Sequence, residues 1–222
     1  MLLTQAMLLD IDGTLVDSND KHAGCWIEAF AHFGKRVEWD EIRGQIGKGG
    51  DLVVPDTLSA REMRKFGEEL KKYRGELWKR RYMESVQPFP RAREVIRELH
   101  ELGIRLAFAS SSNPDEVEYY VELLGARELI AGSTSKEDAQ FSKPSPEIFQ
   151  AALEQTGSDD AFTFAVGDTP YDILAAHRIP LPAIAVLSGG FPAESLEKAE
   201  FLFDDVTALT REIERIDDYF RT

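Results

Sequence analysis

The sequence is poor in cysteine and in long apolar runs. Its single cysteine, Cys25, cannot form an internal disulfide, which fits a reducing compartment. No apolar run approaches the ~20 residues that span a bilayer, and the first residues lack the basic and apolar regions of a signal peptide. We therefore expect a cytoplasmic protein that does not bind to membranes.

Basic residues are also scarce. The 26 Lys and Arg residues face 40 Asp and Glu residues, which gives a net charge of −14. This charge opposes binding to nucleic acid and to anionic membranes, so we expect neither partner. An anionic substrate would need concentrated positive charge or a metal ion at its site. With 222 residues, of which 43% are hydrophobic, the chain suffices for one large domain or for one domain with an insert.

Two acidic residues follow the first apolar run, residues 6–9. Asp10 and Asp12 are two positions apart, which places them on the same side of an extended chain, and Gly13 lets the backbone turn away. Such a pair is costly unless a cation, a proton or a substrate offsets the repulsion. The pair therefore predicts a catalytic site, with an acidic solvated turn as the alternative. An EF-hand loop is excluded because Lys21 would take the place of its last ligand.

Strand-like and helix-like patterns alternate from about residue 88 onward. This alternation predicts an α/β fold, with a parallel sheet and helices on both faces. The predicted strands are 6–9, 104–109, 129–131, 162–166, 183–187 and, at the edge, 201–203, and the predicted helices are 92–102, 146–156, 171–176 and about 206–219.

Residues 18–87 break this pattern. They contain long amphipathic stretches, chiefly 21–33 and 60–83, and no convincing strand. We therefore predict a helical insert over 18–87 in a core formed by 1–17 and 88–222, with the proline-bearing segment 87–90 as the return hinge. The glycine-rich loop at 44–50 is not a P-loop, because its spacing differs and no strand precedes it.

Three later segments place polar residues at further strand ends or before a helix. Ser110 and Ser111 follow the strand predicted at 104–109 and offer hydroxyls and amides suited to phosphate, although such runs are commonly turns or helix caps. Lys143 precedes prolines that begin a helix. Asp168 and Asp172 follow the strand predicted at 162–166.

In this order, the four segments resemble the motif set of the haloacid dehalogenase-like hydrolase superfamily. The shared features are Asp-x-Asp-Gly-Thr, a serine after the second strand, Lys-Pro before a helix and Gly-Asp-x-x-x-Asp after the fourth strand. The insert resembles the helical cap of the branch that includes phosphoglycolate phosphatases and β-phosphoglucomutases. The resemblance implies a Rossmann-like, doubly wound core with an inserted cap, and a Mg²⁺-dependent phosphatase acting on a small phosphorylated metabolite.

The resemblance also implies roles for the acidic residues. Asp10 would be the nucleophile that forms an aspartyl-phosphate, and Asp12 would protonate the leaving group and then activate water. Mg²⁺ would bind the carboxylates of Asp10 and Asp168 and the main-chain carbonyl of Asp12. Asp172 would orient a metal-bound water or Lys143.

Phosphate binding and specificity are implied in the same way. Ser110, Ser111 and Lys143 would hold the phosphoryl oxygens. In the insert, Arg43 and Lys48 flank the glycine-rich loop where relatives read the substrate, and His22 matches a histidine found in some β-phosphoglucomutases. The alternative for Arg43 and Lys48 is ordinary surface charge. The alternative for His22 is a packed or solvent-exposed histidine without a role at the site.

The sequence also leaves other activities as alternatives. A β-phosphoglucomutase-like phosphotransferase is the main alternative, but those enzymes carry an acidic residue where this chain has Gly167. Dehalogenases and phosphonatases do not use an aspartate at the position of Asp12. A binding protein without catalysis would retain the clustered carboxylates at an electrostatic cost. The identity of the substrate and the oligomeric state stay open.

Overall fold

A computed structural model describes residues 2–221 and contains two sheets. The strands are β1 (Ala6–Leu9), β2 (Val16–Asp17), β3 (Gln87–Pro88), β4 (Arg105–Ala109), β5 (Gly132–Thr134), β6 (Thr163–Gly167), β7 (Ala183–Val186) and β8 (Phe201–Phe203). Six of them form a parallel sheet in the order β5-β4-β1-β6-β7-β8. This sheet confirms the predicted α/β class.

The α-helices alternate with these strands along the core. They are α1 (Asn19–His32), α2 (Trp39–Arg43), α3 (Gly50–Thr57), α4 (Ala60–Glu62), α5 (Glu68–Leu77), α6 (Ala92–Glu101), α7 (Pro114–Leu124), α8 (Glu147–Thr156), α9 (Pro170–His177), α10 (Ala208–Arg211) and α11 (Ile213–Asp217). Within residues 2–221, none of them is long and apolar enough to cross a membrane.

The central strand β1 shows why the sheet is covered on both faces. Met7 and Leu9 are fully buried in a core that includes residues of α6 and α7, whereas Leu8 is buried in a second core with residues of α8 and α9. Successive residues of a strand point to opposite faces, so a strand that is apolar at every position requires helices on both sides. The architecture is therefore the doubly wound sheet that the sequence predicts.

The helical insert, residues 18–87, joins the core through a short antiparallel ribbon. Val16 pairs with Pro88 and Asp17 pairs with Gln87, so the outgoing and returning chains cross side by side. The insert has its own apolar core, made by Ala23, Trp26, Phe30, Ile42, Ile46, Val53, Val54, Leu58 and Leu70. Cys25, Leu77 and Trp78 of the insert belong instead to the apolar core of the sheet, so the two parts of the chain also share apolar contacts.

The predicted elements differ from the structure at several places. The strand predicted at 129–131 is wrong by a few residues: Leu129 and Ile130 pack against the core from a turn, and the strand follows as β5. Its Gly-Ser-Thr sequence carries no apolar pattern. The single helix predicted for about 206–219 is interrupted at Glu212, where φ is −107° and ψ is 18°. Helices α2 and α3 were not predicted, and the extent of α7 was not predicted either.

The second long helix of the insert, predicted at 60–83, is confirmed as a helical run from Ala60 to Ser85. It is not a uniform α-helix, because α4 and α5 are each followed by a π-helical turn, at Met63–Gly67 and Trp78–Tyr82. A π turn shifts the register of the side chains that follow it. The second of these turns begins at Trp78, which faces the candidate site.

Candidate functional site

Three neighbouring strands end at the same edge of the sheet. Asp10 follows β1, Ser110 follows β4 and Asp168 follows β6, and β1 lies between the other two. The carboxyl ends of parallel strands form the usual ligand crevice of open α/β sheets. The structure thus brings together segments that are more than fifty residues apart in the chain.

Lys143 lies at the centre of this edge and is almost fully buried, with 1% of its surface exposed. Its Nζ is 2.5 Å from Asp10 Oδ1 and 2.8 Å from Asp172 Oδ1, and it donates to the carbonyl of Ala109 at 2.7 Å. Burial by itself lowers the pKa of a lysine, but the two carboxylates outweigh it and raise the pKa of Lys143. A buried ammonium thus remains charged beside Asp10.

Asp172 is held in position by the start of α9. Its Oδ2 accepts hydrogen bonds from the hydroxyl of Thr169 at 2.6 Å and from the Thr169 amide at 3.0 Å, which leaves Oδ1 for Lys143. This reciprocal cap fixes the carboxylate at a helix N-terminus. Of the two partners that the sequence analysis gave to Asp172, a metal-bound water or Lys143, the structure places it against Lys143.

Asp168 is fully buried under two residues that the sequence analysis did not identify. Thr14 donates to Asp168 Oδ1 at 3.0 Å, and Asn19 Nδ2 donates to Asp168 Oδ2 at 2.7 Å. Thr14 is part of the first motif, but nothing in the sequence marks Asn19, the first residue of α1. Burial and the charges of Asp10 and Asp172 raise the pKa of Asp168 well above its usual value.

Two glycines allow the chain to approach Asp168 closely. Gly13 has φ of +80°, and a Cβ there would lie 2.4 Å from Asp168 Oδ2. A Cβ on Gly189 would lie 1.7 Å from the same atom. Neither position has room for a side chain, so the glycine of the first motif is required for space as well as for the turn.

Asp10, Asp168 and Asp172 form a group that fits a hard divalent cation. Their carboxylate oxygens lie within 4.8 Å of one another, and all three residues are buried. Burial and the nearby acidic charges also raise the pKa of Asp10, against the opposing effect of Lys143, to about 7. A cluster of oxygen donors whose ionised form is unfavourable by itself is what Mg²⁺ or a similar cation stabilises.

Asp12 lies beside this cluster in a different environment. Its Oδ1 accepts hydrogen bonds from Ser18 Oγ at 2.6 Å and from His22 Nε2 at 2.9 Å, and its Oδ2 accepts one from Ser112 Oγ at 3.0 Å. Burial acts to raise the pKa of Asp12, but His22 and the donated hydrogen bonds outweigh it and lower the pKa to about 2. The carboxyl group is therefore ionised at neutral pH.

His22 comes from the insert and reaches Asp12 across the interface. Its Nδ1 lies 2.5 Å from Arg74 Nη2, and its ring stacks on Trp78 with 3.7 Å between centroids. Arginine only donates, so Nδ1 accepts and Nε2 carries the hydrogen that points to Asp12. Arg74, which also lies over the ring of Trp26, has no signal in the sequence beyond its charge.

A cavity of about 630 Å³ separates the insert from the sheet edge, and both parts of the chain line it. Ser110, Ser111 and Lys143 lie on the core side. The buried hydroxyl of Ser111 has no hydrogen-bond partner within residues 2–221, and Ser110 Oγ accepts from the amide of Ser112 at 3.1 Å. These groups face a space large enough for a small metabolite.

The insert is closed over this cavity. Asp51 accepts a hydrogen bond from Ser142 Oγ at 2.6 Å, next to Lys143, and the hydroxyl of Tyr171 donates to the carbonyl of Gly44 at 2.6 Å. Both contacts join the insert to the core.

The two basic residues proposed to read the substrate lie in different places. Lys48 lines the cavity, pairs with Asp56 at 3.0 Å and lies over the ring of Tyr171. Arg43 is not among the residues that line the cavity. Its guanidinium pairs with Asp20 at 2.7 Å and donates to the carbonyl of Gly189, so it connects the insert to the loop that covers Asp168.

Comparison with known proteins agrees with this architecture. The sequence model of a protein family described as haloacid dehalogenase-like hydrolase matches residues 7–186. The chain is 26% identical to a phosphoglycolate phosphatase from Agrobacterium fabrum, over 94% of this chain and 91% of the relative. It is also 26% identical to the pyrophosphatase PpaX of Oceanobacillus iheyensis, over 82% of this chain and 83% of the relative. The crystal structure of a hydrolase from Pseudomonas syringae superposes with a TM-score of 0.86 at 24% identity, covering 96% of this chain and 99% of that one.

Proposed function

The chain belongs to the haloacid dehalogenase-like hydrolases, and from that premise we propose that it is a Mg²⁺-dependent phosphatase of a small phosphorylated metabolite. The observation that carries the proposal is the pair Asp10 and Asp12. Two residues apart, one carboxylate contacts a buried ammonium and an acidic cluster, and the other is surrounded by hydrogen-bond donors. Two carboxylates in contrasting environments are the usual basis for two distinct chemical roles.

The acidic cluster gives Mg²⁺ a place. The carboxylates of Asp10 and Asp168 and the main-chain carbonyl of Asp12 would hold the ion, with Asp172 nearby. When bound, the ion supplies the positive charge that neutralises the phosphoryl group and polarises it for attack. The mutual repulsion of the carboxylates in the cluster and the raised pKa values of Asp10 and Asp168 support this role.

Asp10 would attack phosphorus and form an aspartyl-phosphate. Lys143 touches the Asp10 carboxylate and neutralises part of the negative charge that the phosphoryl group brings, which allows two anions to approach. Ser110 and Ser111 would donate to the phosphoryl oxygens. The unpartnered hydroxyl of Ser111 supports this assignment, because a buried hydroxyl without a partner is costly unless a ligand supplies one.

Asp12 would act as general acid and then as general base. In the resting protein its donors keep it ionised, and a phosphate dianion entering beside it raises its pKa, because like charge disfavours the carboxylate. Asp12 would then take up a proton from solvent or from the entering phosphate monoanion and pass it to the leaving oxygen, and the carboxylate that results can accept a proton from water attacking the phosphoenzyme. The closed insert would act as a cap that excludes bulk water during the first step.

Gly167 favours the phosphatase over a mutase. A Cβ at this position would lie 2.4 Å from both Cβ and Cγ of Asp172. The acidic side chain that β-phosphoglucomutases carry here would thus displace Asp172 from Lys143 and from the start of α9. The space beside Gly167 is therefore filled by Asp172, and an acidic side chain at position 167 would not fit there.

We also propose that the protein is cytoplasmic, as the sequence predicts.

Phosphate release from a panel of phosphorylated metabolites, with Mg²⁺ present, tests the proposal. The panel includes an aryl phosphate, glycolate phosphate and pyrophosphate, and the D10N variant is the control. We expect release from the wild type and none from the variant. Equal release from both proteins, or no release from any substrate, would contradict the proposal, and conversion of β-glucose 1-phosphate to glucose 6-phosphate would favour the mutase.

A further inference from the structure

Glu116 is a buried carboxyl group that the proposed mechanism does not use. It lies in the first turn of α7, with 1% of its surface exposed, and it lines the cavity. A glutamate in the first turn of a helix ordinarily faces solvent. Removing a carboxyl group from water is costly unless specific partners compensate, so its burial here needs a reason.

The neighbours of Glu116 are the side chain of Asn113, which donates a hydrogen bond to it, and groups that surround Asp12. Its Oε1 lies 3.6 Å from His22 Nε2, the same nitrogen that contacts Asp12 Oδ1 at 2.9 Å, and 3.5 Å from the hydroxyl of Tyr120. Asp12, His22 and Glu116 together place their ligand atoms within 4.8 Å of one another. One imidazole nitrogen of the insert thus faces two carboxyl groups of the core.

The hydrogen on the imidazole of His22 is placed on Nε2 by the neighbours of the ring. Arg74 donates to Nδ1, so the neutral ring carries its hydrogen on Nε2, and the stacked ring of Trp78 sets the plane of the imidazole. In the structure the hydrogen is directed to Asp12. At 3.6 Å, Glu116 is too distant for a hydrogen bond, but it is the next acceptor that a small movement of the ring would reach.

We infer that Glu116 is a positioning residue that accepts the His22 Nε2 hydrogen when the Asp12 carboxyl group turns to the leaving oxygen. This inference rests on the proposed acid–base role of Asp12. Without a second acceptor, releasing Asp12 would leave a buried N–H unsatisfied at the moment of proton transfer, and that cost would add to the barrier. With Glu116, His22 stays bonded while Asp12 becomes free to act. No proton or electron leaves His22 in this exchange.

A pair of variants at one position tests the kinetic consequence. Glu116→Gln keeps an acceptor oxygen, whereas Glu116→Leu has similar size and none. In single-turnover phosphoenzyme formation from an alkyl phosphate, which needs the acid, we expect the leucine variant to be slower by about tenfold, the factor for one buried donor left unpaired. We expect less than threefold for p-nitrophenyl phosphate, whose leaving group needs little protonation, and most of the alkyl rate in the glutamine variant.

A merely structural role for Glu116 would give a different pattern. Equal losses on the alkyl and aryl esters, or a glutamine variant no better than leucine, would overturn the inference. In the Asp12→Ala background we expect Glu116→Leu to cause no further loss on the alkyl ester, because its effect passes through Asp12. A full additional loss would count against it as well.

A second measurement does not depend on activity. In Asp12→Ala, proton NMR should still show an exchange-protected His22 Nε2–H signal, assigned by its loss in His22→Gln, because Glu116 accepts the hydrogen. Adding Glu116→Leu should remove that signal. Its absence already in Asp12→Ala would overturn the inference. This result stands whether or not the wild type hydrolyses phosphate esters, so a failure of the proposed function and a failure of the inference are distinguishable.

Discussion

The acidic cluster of Asp10, Asp168 and Asp172 and its neighbour Asp12 differ in the groups that surround them and in the direction in which their pKa values shift. Asp10, Asp168 and Asp172 lie close together, and the groups that donate to them are Lys143, Thr14, Asn19 and Thr169. Asp12, in contrast, accepts hydrogen bonds on both oxygens from three side chains, those of Ser18, His22 and Ser112.

The consequence is opposite for two residues of one motif. The pKa of Asp10 is raised to about 7 and that of Asp12 is lowered to about 2. Burial opposes ionisation at both sites, so the difference lies in the neighbours: acidic charges oppose ionisation of Asp10, whereas His22 and the donated hydrogen bonds favour ionisation of Asp12. A short spacing of carboxylates therefore does not give them the same chemistry, and the insert contributes directly to the contrast.

The largest effect should come from the core group. Asn at position 10 has the shape of aspartate but is a poor nucleophile, so we expect Asp10→Asn to lower turnover at least about 10⁴-fold while the fold is retained. Steady-state phosphate release measures the loss, and an unchanged circular dichroism spectrum is the control. Beryllium fluoride should trap its adduct on Asp10, and an adduct elsewhere would reject the assignment.

The second group should respond with a smaller, substrate-dependent loss. Asp12→Ala removes the acid and the base, and we expect a fall of roughly 10²- to 10⁴-fold for alkyl phosphates. Phosphoenzyme formation from aryl phosphates should fall less, because their leaving groups need little protonation. If single-turnover measurements gave the same factor for both classes, Asp12 would not be the acid.

Arg74 belongs to the second group alone, so its removal sharpens the comparison. Arg74→Met keeps the apolar stem against Trp26 and Trp78 but no longer fixes the tautomer of His22. We expect kcat on an alkyl phosphate to fall about tenfold, with the loss of one charge-assisted hydrogen bond. Arg81→Met is the matched control, because Arg81 lies on the same helical run as Arg74 but pairs with Glu28 of α1. This variant should have no such effect on kcat.

The specificity residues should separate by position. Lys48 lines the cavity, and we expect Lys48→Met to raise KM for an anionic substrate about fivefold, equivalent to ~1 kcal/mol, while sparing a small aryl phosphate. Arg43 is engaged with Asp20 and Gly189, so Arg43→Met should affect KM less. Equal effects of either change on both substrates would place that residue outside substrate recognition.

The smallest expected effects are on the free energy of unfolding, where the two groups should respond with opposite signs. The raised pKa of Asp168 means that its ionised form destabilises the folded state at neutral pH without a cation, so Asp168→Asn should stabilise the metal-free protein. The lowered pKa of Asp12 contributes stability above its unfolded-state pKa, which is lost as pH falls toward 2, so Asp12→Asn should destabilise by ~1 kcal/mol at pH 7. Urea unfolding in EDTA measures both. Changes of the same sign would remove the contrast.

Sequence reasoning was most reliable where one local pattern had one meaning. The fully apolar run of β1 predicts a strand buried on both faces, and Asp10 and Asp12 after it mark the strand end. It was least reliable where the pattern was absent, as in β5, or where a partner comes from a distant segment. Asn19 and Glu116 have no local signal, because their significance is their distance from Asp168 and His22.

The sequence by itself determined the α/β class and the acidic and basic residues that the four motifs carry, and it predicted the helical insert, because periodicity and motif spacing are local properties of the chain. Only the tertiary structure decided which carboxylate is rich in hydrogen-bond donors and which is not. It also decided that Lys48 faces the cavity while Arg43 does not. The physical reason is that a pKa and a contact depend on the solvent excluded and the dipoles assembled around a group, and those come from residues that the fold, not the spacing, brings together.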